Sequence, residues 1–138
     1  MELKYQYHVD GTLPNNTTDV WVFGSNLLGR HGAGAALVAH KNYGYPYGLG
    51  VGYHSFQDNT QAYGIPTKSM PHSTMELNEI KNYVDDFIDY AQTNKSKVFF
   101  VTRVGCFLAR YKDKDIAPMF YGAPSNCNFA ESWKQYLE

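Results

Sequence analysis

The sequence predicts an α/β fold built on a mainly parallel sheet, and three observations carry that prediction. Val20-Trp21-Val22-Phe23 and Val98-Phe99-Phe100-Val101 are short runs, apolar at every position, as expected of strands buried on both faces. Leu77, Ile80, Val84, Phe87, Ile88 and Ala91 recur at three- and four-residue spacing, which lays one apolar stripe along a long helix. Strands that alternate with helices in this way build a parallel sheet covered by helices.

In chain order, Leu3, Tyr5, Tyr7 and Val9 alternate with polar residues and predict a half-buried strand. Gly11 to Asn16 is a turn. After the buried strand at 20–23 and a glycine-rich loop, Ala33 to Lys41 reads as a helix. Tyr43 to Asn59 is too rich in Gly, Tyr and Pro for regular structure, and Ala62 to Ile65 reads as a strand stopped by Pro66. Ser73 or Thr74 caps the long helix, with Glu76 at its positive end. Asp113 to Phe120 and Phe129 to Leu137 read as short helices.

The chain has 138 residues, 43% of them hydrophobic, which suits one domain with a real core. No internal repeat, biased linker or charge block divides it. Twelve basic and 13 acidic residues in mixed groups give a net charge of −1, which disfavours a broad basic face for duplex DNA. No apolar run is long enough to cross a bilayer and Met1-Glu2-Leu3-Lys4-Tyr5 does not begin a signal peptide, so a cytoplasmic protein without membrane partners is expected. Cys106 and Cys127 form neither a CxxC pair nor a disulfide framework. The histidines at 8, 40, 54 and 72 show no metal-ligand spacing, so neither a metal nor another cofactor is expected.

Two segments have the form of ligand loops. In Asp19 to Ala36 a buried strand runs into the glycine-rich stretch Gly29-Arg30-His31-Gly32-Ala33-Gly34 and then a helix. Glycine lets backbone approach a ligand, and the free N–H groups at a helix start face an anion. A parallel strand delivers such a loop to its carboxyl end, where open α/β sheets bind nucleotides. GxxxxGK[ST] is missing, Leu37 replaces the final glycine of GxGxxG, and no acidic residue lies about 20 positions on, which excludes the P-loop and Rossmann signatures. Thr102 to Tyr111 likewise follows a buried strand, so both loops share one sheet edge. Arg103 and Arg110 are shaped to meet phosphate oxygens, or equally to pair with Asp113 or Asp115.

Here the chain resembles macrodomains. Asp19 to Asn26 (DVWVFGSN) aligns without a gap with the Asp-x-Ile-Val-Asn-Ala-Ala-Asn start of that family, and Gly105 to Tyr111 (GCFLARY) resembles its second loop, Gly-x-Gly-x-x-Gly-aromatic. Closer still is the likeness to small phage and bacterial macrodomain-like proteins with FGSN, GRHGAGAA and YGIPTK segments. The likeness spans roughly residues 19 to 120. It implies a three-layer fold, a mainly parallel mixed sheet flanked by helices, with a cleft for ADP-ribose or a related nucleotide, cyclic and phosphorylated forms included.

By that resemblance Asn26 holds the distal ribose. Gly24, Ser25, Gly29, Arg30, Gly32, Ala33 and Gly34 wrap the ribose and diphosphate. Arg103, Gly105, Cys106, Phe107, Leu108 and Arg110 close from the other side, with backbone N–H groups offered by Gly105 and Cys106. Tyr111 packs on the distal ribose, and Asp10 accepts the adenine amino group. Phe23 stands where the family has its first motif Asn, and Phe107 and Arg110 replace the second loop's middle and last glycines.

His31, inside the glycine loop and with an ordinary pKa near 6.5, suits a general base or a phosphate contact. Cys106 suits inert packing better than nucleophilic attack. The tyrosines between Tyr43 and Tyr53 either close over a nucleotide or cover the core, and Lys68 ends a strand near the same edge. Asp85, Asp86 and Asp89 form a solvated face. Three functions follow: a hydrolase of an ADP-ribosyl or phosphoester bond using Asn26 and His31, a binder or sequesterer of such a nucleotide in host–phage signalling, and a structural or virion protein with a vestigial pocket.

Overall fold

The computed structural model describes residues 2–56, 59–70, 72–106 and 108–138. Within them the chain runs β1 (Gln6–His8), β2 (Val20–Asn26), α1 (Gly34–Tyr43), β3 (Gly52–Ser55), β4 (Gln61–Met70), β5 (Ser73–Thr74), α2 (Leu77–Thr93), β6 (Phe99–Val101), α3 (Asp113–Ile116), β7 (Cys127–Ala130) and α4 (Lys134–Leu137). Short 3-10 turns at Ala117–Phe120 and Glu131–Trp133 extend the last two helices.

The strands form one sheet in the order β1-β7-β6-β2-β4-β3, with β5 paired to the far end of β4. The pairs β1–β7, β7–β6, β6–β2 and β2–β4 are parallel, and β3 and β5 lie antiparallel to β4. Period-2 alternation splits β2 between two cores. Val20 and Val22 face the cluster under α2 with Ile80, Val84 and Phe87, while Trp21 and Phe23 face Ala36 and Ala39 of α1. Helix, sheet and helix therefore make three layers, as the sequence predicts: α/β, with a mainly parallel mixed sheet.

Four local expectations need correction. Strand β4 runs through Pro66, because β3 ends its pairing at Gly64 and Pro66 faces only β2, beside a register shift at Ser25/Asn26. A residue without an N–H fits a strand where one side has no ladder to make. The segment 43–59 contains the edge strand β3. Phe129 and Ala130 belong to parallel strand β7, and helix begins only afterwards. Helix α2 starts at Leu77 after Glu76, whose N–H donates to Glu79 Oε1 at 3.3 Å, whereas Ser73 and Thr74 pair as β5.

Among the described residues, no helix is long and apolar enough to cross a membrane.

Candidate functional site

Because β1, β7, β6, β2 and β4 are mutually parallel, their carboxyl ends share one edge, and there a crevice of about 1080 Å³ opens. That is the size class of small-molecule sites, roughly 300–1,000 Å³. Its walls are the loop after β2 (Asn26, Arg30, Gly32, Ala33), the loop after β6 (Thr102, Arg103, Gly105, Leu108, Arg110), Thr67 and Lys68 of β4, and an end near β1 (His8, Leu13). Four cationic side chains, Arg30, Lys68, Arg103 and Arg110, line it, and among the described residues no Asp or Glu does, although the chain as a whole is close to neutral.

The two loops approach closely because Gly24 sits between them. A Cβ there would stand 3.3 Å from the Gly105 nitrogen. Gly105 itself has φ +77, and its N–H finds no acceptor among the described residues. Arg110, where the resembled motif has its last glycine, has φ +67, a left-handed conformation that L side chains adopt at a cost. On the opposite wall, α1 starts after Ala33 with neither a side-chain cap nor an acidic residue in its first turn, so its leading N–H groups remain for an anion.

The Asn26 side chain shapes its own loop. Nδ2 donates to the Arg30 carbonyl at 2.8 Å, and Oδ1 accepts the Arg30 N–H at 3.0 Å. It still lines the crevice and retains one Nδ2 hydrogen. Ser25 lines the crevice too, with its hydroxyl turned onto the Gly50 carbonyl. Neither Gly29 nor Gly34 is among the residues that line the crevice. Gly29, at φ +69, lies so close to Gly48 that a Cβ would fall 2.4 Å from the Gly48 carbonyl carbon.

The largest correction concerns His31. The side chain is fully buried among Phe23, Tyr45 and Tyr47, outside the crevice, with Nε2 placed on the carbonyls of Pro46 (3.0 Å) and Leu49 (2.8 Å). A carbonyl only accepts, so Nε2 carries a proton and donates it. Burial holds the imidazole below its usual pKa. His31 therefore clasps the 46–49 segment to the glycine loop and cannot reach water in the crevice as a base.

Other expectations shift too. The Cys106 N–H is spent on the Arg103 carbonyl, its thiol rests on the Val104 carbonyl, and burial pushes that thiol up to about 12. Tyr111 sends its hydroxyl to the Met75 carbonyl, away from the crevice. Asp10 accepts the Ser132 N–H at 3.2 Å and lies 3.9 Å from Arg103, outside the crevice lining. Phe107 lies outside the described residues. Arg103 does line the crevice, but forks onto Asp113 at 2.9 and 2.7 Å. That guanidinium, with the Trp133 indole N–H, holds the Asp113 carboxyl below the usual range. Tyr43, the last residue of α1, and Tyr45 pack in the core with Ala36 and Ala39.

The sequence reasoning missed His8, Trp21, Thr67 and Thr102, all in the crevice wall. For His8, the last residue of β1, and Thr102, directly after β6, the strand position held the signal, because each parallel strand delivers its last residues to the same edge; for Trp21 and Thr67, inside β2 and β4, it did not. No three His, Cys, Asp or Glu side chains among the described residues gather as a metal site.

No protein-family model and no curated protein sequence matches this chain. Solved structures share its fold, among them the following two. A protein of unknown function from Bacteroides thetaiotaomicron superposes with a TM-score of 0.64 at 13% identity, over 91% of this chain and 96% of that one. DarTG of Thermosipho africanus, determined in complex with ADP-ribose, superposes with a TM-score of 0.53 at 15% identity, over 82% of this chain and 39% of the DarTG chain. At such identities the likeness concerns the fold, which is the macrodomain-like one the loop motifs imply.

Proposed function

We propose that the crevice binds ADP-ribose or a closely related nucleotide, with its diphosphate between the loops after β2 and β6. One observation carries this reading: two glycine-bearing loops from adjacent parallel strands meet across a cavity lined by Arg30, Lys68 and Arg110, and by Arg103 paired with Asp113, with no carboxylate among its described lining residues. The Gly105 N–H and the first N–H groups of α1 supply donors from opposite sides, and Arg30, Lys68 and Arg110 supply charge. Thr67, Ser25 and the remaining Asn26 hydrogen supply polar contacts for a ribose. ADP-ribose bound to DarTG, a protein of similar fold, supports the ligand class.

The reading is binding rather than hydrolysis. The base suggested by the sequence, His31, is buried against carbonyls, and the remaining features are those that hold an anion.

Calorimetry with ADP-ribose, its phosphorylated and cyclic forms, and NAD tests this reading on wild type and Gly32→Glu. Gly32 lines the crevice, and a Cβ there meets nothing within 4 Å, so the variant folds normally while placing a carboxylate where phosphate rests. Wild type binds one of these ligands, gaining about 2.7 kcal/mol at 100 times Kd, and Gly32→Glu loses the binding without losing melting temperature. Equal binding by the two proteins overturns the reading, as does silence across the panel with wild type.

A further inference from the structure

The nucleobase end of the crevice is built differently from the residue assignment that the sequence suggests, and this inference rests on the ADP-ribose-type reading above. Of the cationic side chains, Arg30, Lys68 and Arg110 belong to the loop after β2, to β4 and to the loop after β6, and Arg103, beside Asp10, has its guanidinium forked onto Asp113; the side where β1 and β7 terminate presents His8, Leu13 and Ala130, with Trp21 of β2 in the same lining. A diphosphate at the cationic end leaves a base to lie at this second, mostly apolar end. Asp10, the expected acceptor for an amino group there, is occupied by the Ser132 N–H and faces Arg103.

His8 is held in a fixed pose. Its ring stacks on Phe100 with centroids 3.8 Å apart and planes 17° apart, and Phe100 stacks in turn on Trp21 at 5.7 Å. The edge of the ring is set as well, because Nδ1 lies 2.8 Å from Asn128 Oδ1. A carboxamide oxygen only accepts, so Nδ1 carries the proton, and Nε2 of the neutral ring is left with an in-plane lone pair. Nε2 has no partner among the described residues and is not a buried orphan atom, so it keeps access to solvent, on a side chain that lines the crevice.

We propose that His8 is the residue that reads the nucleobase, its Nε2 lone pair accepting a hydrogen from an exocyclic amino group such as that of adenine. Burial keeps the ring neutral against the pull of Asp10 and Glu131, the carboxylates that face it. A base with a carbonyl at the same position would set acceptor against acceptor, and a site built to accept a hydrogen strongly disfavours that arrangement.

The test compares ADP-ribose with its hypoxanthine analogue, which replaces the amino group by a carbonyl and changes the adjacent ring nitrogen to N–H. Wild type prefers ADP-ribose by about tenfold or more. His8→Phe, which keeps a ring against Phe100, brings the ratio close to one, and Asp10→Asn leaves the ratio of wild type. A wild-type ratio near one, an unchanged ratio in His8→Phe, or a ratio lost in Asp10→Asn overturns the assignment. Should His8→Phe misfold, nitrogen NMR of the wild-type imidazole decides. Its unprotonated Nε2 signal moves on addition of ADP-ribose if the assignment holds, and stays still under saturating ADP-ribose if it fails. Wild type that binds neither nucleotide refutes the ADP-ribose reading itself, and the base assignment falls with it.

Discussion

Replacing His31 by alanine separates a structural clasp from a catalytic base. The side chain is 0% exposed, so the substitution removes a fully buried ring and leaves a cavity against Phe23 and Tyr45. Large-to-small changes in such sites cost about 2–5 kcal/mol. The Leu49 carbonyl also loses its donor at 2.8 Å, an orphaned acceptor worth about 1–3 kcal/mol, whereas the Pro46 carbonyl keeps the Leu49 N–H. Allowing for partial relaxation, the sum is about 3–5 kcal/mol, or roughly 10–15 °C in Tm for a chain of this size. Differential scanning calorimetry reads it directly. A second signature comes from pH. The folded pKa of His31 lies below its unfolded value, so its contribution is complete above about 6.5 and declines as acid protonates the unfolded chain first. His31→Gln flattens that part of the slope. A His31→Ala protein that melts within about 2 °C of wild type while losing turnover of a bound nucleotide would refute the clasp and restore the base.

Two further substitutions bear on the second loop. Arg110→Gly relieves a left-handed backbone at φ +67, worth about 1–2 kcal/mol, and loses about 0.5–1 kcal/mol to chain entropy. The variant melts no lower than wild type yet binds ADP-ribose more weakly at low salt, where loss of a cation is least screened. Asp113→Asn breaks the fork onto Arg103 and costs about 1 kcal/mol, a charged pair discounted for its exposure. Because Asp113 is held below the usual carboxylate range, its contribution is present above its unfolded value and is lost as pH falls through the folded one. Urea titrations between pH 6 and 3 show a smaller acid loss in Asp113→Asn than in wild type.

Apolar runs made β2, β6 and α2 readable, since a run buried on both faces or a stripe along one face is a local property of the sequence. Strand β7 was not readable. Cys127-Asn128-Phe129-Ala130 is four residues long with a polar member, and it becomes a strand through partners more than 25 residues away in β6 and over 100 away in β1. Pro66 misled for a related reason, because whether a strand tolerates proline depends on which neighbour is missing. In the site, glycine placement pointed to both loops, and Gly24, Gly32 and Gly105 line the crevice. The side chains did not follow as simply. His31 is flanked by exposed Arg30 and Gly32, yet turns inward because two carbonyls 15 and 18 residues ahead require a donor. His8 depends on Phe100 and Asn128, contacts that no local pattern encodes.

The central claim, that the loops after β2 and β6 jointly hold a nucleotide diphosphate, is tested most directly by amide NMR during titration with ADP-ribose. The account predicts that the N–H signals of Gly32 to Ala36 and of Gly105 shift together with one saturation curve, while those of Tyr45 to Gly50 behind the loop stay in place. Shifts confined to one loop, or centred elsewhere on the surface, would contradict it.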